Sequence, residues 1–127
     1  MSLTLVLRSL KALRLIGWLC VVVLVWLSWI PQEWEARTGL RGEIEHALAY
    51  CGTAAIFAFA YQWTSRWRMA AALGALAAVL EIGQFWAPGR TPGFASFAAS
   101  SLGAAIGVMI GRAAITWLVS FAMRFRR

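Results

Sequence analysis

The segment LEIGQFWAPGRTPGF, residues 80–94, sets a glutamate inside an apolar run, a glutamine three residues later, and then Pro88-Gly89-Arg90. On a helix, Glu81 and Gln84 share a face at that spacing. A carboxylate only accepts hydrogen bonds, an amide both donates and accepts, and a guanidinium donates through a planar fork suited to carboxylate or phosphate. Two more pairs share a helical face at a four-residue spacing: His46 with Tyr50, and Ser96 with Ser100. His46 or Glu81 is the candidate general base, and a serine hydroxyl the candidate nucleophile. The motifs that normally accompany such chemistry are missing. There is no Gly-x-Ser-x-Gly elbow, no paired-carboxylate motif and no Cys/His metal-ligand spacing. No metal and no cofactor are therefore expected. Cys20 and Cys51 lie inside apolar runs and read as small buried side chains rather than a disulfide or a redox pair.

The elements that carry these residues follow from composition. The 127-residue chain is 61% hydrophobic and 13% charged, whereas a soluble domain is about 25% charged. A surface so poor in charge would not be solvated by water, so the chain reads as one membrane domain, residues 1–127. Eight tryptophans point the same way, because Trp favours the membrane–water boundary. The net charge of +7 comes from arginines scattered between apolar runs. It fits anionic lipid headgroups better than nucleic acid, which would call for a basic stripe.

Four spans are expected, at about 15–30, 44–63, 69–87 and 97–121, preceded by a basic segment 1–14. The apolar core of the first span is long and no small-residue cleavage site follows it, so it reads as a retained anchor. Hydrocarbon leaves the backbone no partner but itself, so the fold class is all-α: a polytopic bundle of four transmembrane helices. Eight Lys and Arg flank one set of ends (Arg8, Lys11, Arg14, Arg66, Arg68, Arg124, Arg126, Arg127) and three flank the other (Arg37, Arg41, Arg90). That bias predicts N-in and C-in, with both termini in the cytoplasm.

With those directions, His46, Tyr50, Glu81, Gln84, Arg90, Ser96 and Ser100 all fall in the outer third of the membrane. A carboxylate inside a span is costly and marks a candidate site. Each residue also has a structural alternative. Glu81 can pair with Arg90 or His46, Tyr50 can be a belt tyrosine, and the serines can bond to their own helix. In the fourth span, Ala99, Gly103, Gly107 and Gly111 recur every four residues and read as a stripe for close helix packing, which also permits homo-oligomers. By this reading Gly107→Leu disrupts the fold more than Val108→Leu, with Val108 on a neighbouring face. Arg112 reads as snorkelling to the cytoplasmic headgroups.

The ordered set EHALAY, LEIGQFWAPGR and SLGAAIG, spanning His46 to Gly107, resembles the VanZ-like family of small membrane proteins, named for low-level resistance to the glycopeptide antibiotic teicoplanin. In that family a His and Tyr open one helix, Glu-x-x-Gln closes the next, and Pro-Gly-Arg leads into the last. Where the family has Asp and Asn at the start of the last helix, this chain has Ser96 and Ser100. Both keep a hydroxyl and lose the charge and the amide. The resemblance implies a role at the cell envelope, in a bacterial cytoplasmic membrane. The residues themselves favour a protein that binds an anionic, polyprenyl-linked or glycan-linked lipid headgroup through the polar cluster, with Arg90 making two-pronged contacts to phosphate and Glu81 orienting Arg90 or accepting from a sugar hydroxyl. The alternatives are an enzyme acting on a lipid-linked envelope precursor, and a small oligomeric transporter or assembly subunit.

Overall fold

The computed structural model describes residues 3–34 and 39–124. Arg37, Arg126 and Arg127, counted above for orientation, lie outside them. Four α-helices run in order: α1 (Leu3–Trp29), α2 (Gly42–Ala60), α3 (Arg66–Gly83) and α4 (Phe94–Arg124), with short 3-10 turns at Gln32–Trp34 and Gln84–Trp86. No strand occurs among the described residues. The helices stop where local chemistry stops them. Pro31 cannot continue α1. Between α3 and α4 the chain makes a type II turn: Pro88 precedes Gly89, whose φ is +74°, and the amide of Arg90 donates to the carbonyl of Ala87 at 3.2 Å. Only glycine enters that left-handed region without strain.

Large side chains face outward and small ones inward. Trp18, Val22 and Trp26 of α1, Val79 and Ile82 of α3, and Leu102, Met109 and Ile110 of α4 are exposed, while Ala54, Ala58, Ala77 and Ala104 form much of the core with Tyr50, Leu73 and Leu80. A water-soluble bundle has the opposite pattern. Three helical stretches, Arg8–Trp29, Arg66–Trp86 and Phe94–Arg124, are long and apolar enough to cross a membrane. The fourth expected span, α2, is not among them, because Glu43, Glu45 and His46 in its first two turns lower its average hydropathy. The two terminal helices are also longer than expected: α1 begins within the basic segment and α4 extends to Arg124.

The most extensive interhelical contact joins α2 to α4. A Cβ placed on Gly103, Gly107 or Gly111 would overlap the backbone carbonyl of Ala47, Cys51 or Ala55 respectively. Both series advance by four and in the same direction, so the two helices run parallel with backbones in direct contact. Cα–H groups can then meet carbonyl oxygens, and dispersion acts over the whole seam. Ala99, one turn earlier, is half-buried. Val108 corrects the expectation drawn above: it is 2% exposed and belongs to the core, so it is no neutral control for the glycines.

Candidate polar cavity at one end of the bundle

One end of the bundle gathers the C-termini of α1 and α3 and the N-termini of α2 and α4. A helix C-terminus leaves carbonyls without intrahelical partners, and here arginines from elsewhere in the chain supply them. The Pro-Gly turn aims Arg90 at α1, where its Nε donates to the Ile30 carbonyl at 3.2 Å and its Nη2 to the Leu27 carbonyl at 2.6 Å. A cation at a C-terminus also complements the helix dipole.

Glu81 is half-buried and turns to the other terminus. Its Oε1 accepts from the Gly93 amide at 2.5 Å. Gly93 directly precedes α4, and its carbonyl accepts from the amides of Ser96 and Phe97. The carboxylate thus holds the entry to α4 from the end of α3 and fixes the intervening turn at both its ends. The expected Glu81–Arg90 contact is not made, because each group has a backbone terminus within closer reach.

Between these anchors lies a cavity of about 320 Å³, lined by His46, Gln84, Arg90 and Ser96 of the expected cluster, and by Glu43, Glu45 and Thr91. Gln84 is the informative wall. It is 5% exposed, and among the described residues its side-chain amide makes no hydrogen bond. Its amide atoms are not fully enclosed, since Ser101 Oγ is the one fully buried side-chain atom without a partner among the described residues, so the amide faces the polar space that it borders. His46 Nδ1 lies 3.4 Å from Ser100 Oγ behind the cavity wall, which links α2 to α4. Tyr50 is buried beneath, within electrostatic reach of Glu81, and does not line the space. The seven expected residues therefore do gather at one end, four on the cavity and Tyr50, Glu81 and Ser100 behind it.

Glu43 and Glu45 were not singled out from the sequence. Their spacing of three and one from His46 on the same helical turn was the available signal. Arg41 pairs with Glu43 at 3.7 Å, and both are exposed, so the pair contributes little stability. No group of three or more metal-ligating side chains occurs among the described residues.

The opposite end follows the same capping principle. Arg112, expected to snorkel to the cytoplasmic headgroups, is taken up by backbone instead. It donates to the carbonyls of Tyr61, Gln62 and Thr64, just past the end of α2. Arg14 donates to the Ala60 carbonyl at 3.4 Å, and its guanidinium lies over the Tyr61 ring. At both ends, then, arginine is committed to backbone carbonyls. No protein-family model matches the chain, and neither a curated protein nor a solved structure is similar to it.

Proposed function

We propose that this protein is a four-span membrane protein of the VanZ-like type, N-in and C-in in a bacterial cytoplasmic membrane, that binds a lipid headgroup in the polar cavity on the extracytoplasmic side. The observation that carries the binding reading is Gln84: an amide with no hydrogen-bond partner among the described residues, facing a space of about 320 Å³ large enough for a small headgroup. A polar group lining such a recess is satisfied when a ligand or ordered water supplies its hydrogen bonds.

Two observations support α2 as the fourth span. Its 19 residues extend about 28 Å, close to the roughly 30 Å of a hydrocarbon core. Exposed tryptophans flank both of its ends, Trp63 and Trp67 on one side and Trp29, Trp34 and Trp86 on the other. That is the pattern of two interfacial belts. The orientation rests on the arginines: Arg14, Arg66, Arg68 and Arg112 cluster at the end opposite the cavity.

The test is mass spectrometry of lipids that co-purify with the wild type and with Gln84→Leu. The expected result is one enriched lipid class with the wild type and its loss from a variant of unchanged melting temperature. The same unselective lipid mixture in both would remove the cavity as a binding site.

A further inference from the structure

We infer that the cavity recognises an uncharged, hydroxyl-rich headgroup, that of a sugar-bearing lipid, and not a phosphate. The inference rests on the headgroup-binding reading above and narrows it. Arg90 is the residue on which a phosphate would depend, since its fork makes the two-pronged contact. One edge of that fork is already used. Nε and Nη2, which form one edge of the guanidinium, donate to the carbonyls of Ile30 and Leu27. An anion gripping that edge would strip the end of α1 of its cap.

The other charges at the cavity disfavour an anion as well. Glu43 and Glu45 line the same space, so a phosphate entering it would meet carboxylate oxygens as well as Arg90, even with Arg41 beside Glu43. Like charges within a few ångströms raise the cost of the charged form of either group. Carboxylates suit hydroxyl donors, and each has several acceptor sites. Gln84 adds what a polyol requires on its other side, an amide that donates and accepts at once. It is 5% exposed, lines the cavity and has no hydrogen-bond partner among the described residues. Ser96 and Thr91 contribute hydroxyls of either sense. A sugar, with donor and acceptor on every hydroxyl, satisfies this set, whereas a phosphate offers acceptors only.

The membrane setting assigns the sugar to a lipid, because Gln84 on the cavity wall lies in the last turn of a stretch long and apolar enough to cross a membrane, two residues from exposed Trp86. Native mass spectrometry of the detergent-solubilised protein tests this. The probes are equimolar monoglucosyl-diacylglycerol and phosphatidylglycerol with identical acyl chains, against a phosphatidylcholine background. The expected result is at least about tenfold more glucolipid than phosphatidylglycerol adduct, unchanged on raising salt, because neutral contacts are not screened. Gln84→Leu should lose most of that preference.

Preferential phosphatidylglycerol binding that weakens with salt would overturn the sugar assignment and leave the headgroup reading standing. Neither lipid above background would overturn both. Full preference retained in a folded Gln84→Leu protein would overturn the site. Displacement of the glucolipid by millimolar methyl glucoside would keep the chemistry and reject the lipid as its source. The wild-type competition decides the question even if Gln84→Leu fails to fold.

Discussion

Gly111→Ala on α4 and Gly74→Ala on α3 make the same chemical change and should move stability in opposite directions. At Gly111 the new Cβ would sit 2.5 Å from the carbonyl oxygen of Ala55, against 3.4 Å for the near edge of ordinary van der Waals contact. The difference, 3.4 less 2.5, is about 0.9 Å that α2 and α4 must yield. Overpacking of this kind costs about 1–3 kcal/mol. At Gly74 the nearest atom to the new Cβ is Ser101 Oγ at 3.8 Å, so the methyl fits. Replacing a mid-helix glycine by alanine then gains about 0.5–1 kcal/mol from backbone entropy. Thermal unfolding of the purified proteins in one detergent reads both. Gly74→Ala should melt at or above the wild type and Gly111→Ala several degrees below it. The reasoning fails if Gly111→Ala melts with or above Gly74→Ala, because the seam would then have room that the carbonyl contact denies.

Glu81→Leu should destabilise by about 1.5–3 kcal/mol, the range for a charge-assisted hydrogen bond. Glu81→Gln, which keeps an acceptor oxygen for the Gly93 amide, should lose less; melting temperatures of equal size for the two would show that the carboxylate does not hold the α4 entry. Arg112→Leu should lower the melting temperature, with Arg112→Lys recovering only part, since one ammonium cannot span three carbonyls as a planar fork does. Indistinguishable Lys and Arg proteins would mean that charge alone acts there. Reporter fusions after Arg68 and after Arg90 should read cytoplasmic and extracytoplasmic respectively, and the reverse pattern would move the polar cavity to the inner face.

Periodic features are legible in the amino-acid sequence and unique partnerships are not. Apolar runs, Pro31 and the Pro88-Gly89 pair mark the helices and the turn that joins α3 to α4, because hydropathy and backbone sterics act locally. The four-residue glycine spacing marks a seam for the same reason. It does not say that the facing helix is α2, nor that the pair is parallel, since any backbone could approach that stripe. Glu81 and Arg90 are visible as polar groups near a helix end. Their partners are backbone atoms, present at every residue, so no residue type announces that Arg90 reaches Leu27 and Ile30 or that Glu81 reaches Gly93. Arg112 deceives for a related reason: a long side chain can reach the headgroups or the uncapped end of a neighbouring helix, and the loop 61–64 that captures it carries no charge. Glu43 and Glu45 lie at the cavity because the turn that carries His46 also carries them.

The parallel α2–α4 seam has a consequence for how the chain is made. A ribosome delivers α2 about fifty residues before the glycines of α4 that receive it, and α2 is the helix whose polar first turns keep it from spanning on hydropathy alone. In the interval it has α1 beside it, with Phe57 against Trp18 and Tyr61, but its carbonyl face at Ala47, Cys51 and Ala55 waits for a partner not yet synthesised. Biogenesis therefore has an order in which the final helix locks an earlier one. A chain stopped before Gly103 would present α2 to the quality-control machinery as an unfinished segment, however well its first three helices had been inserted.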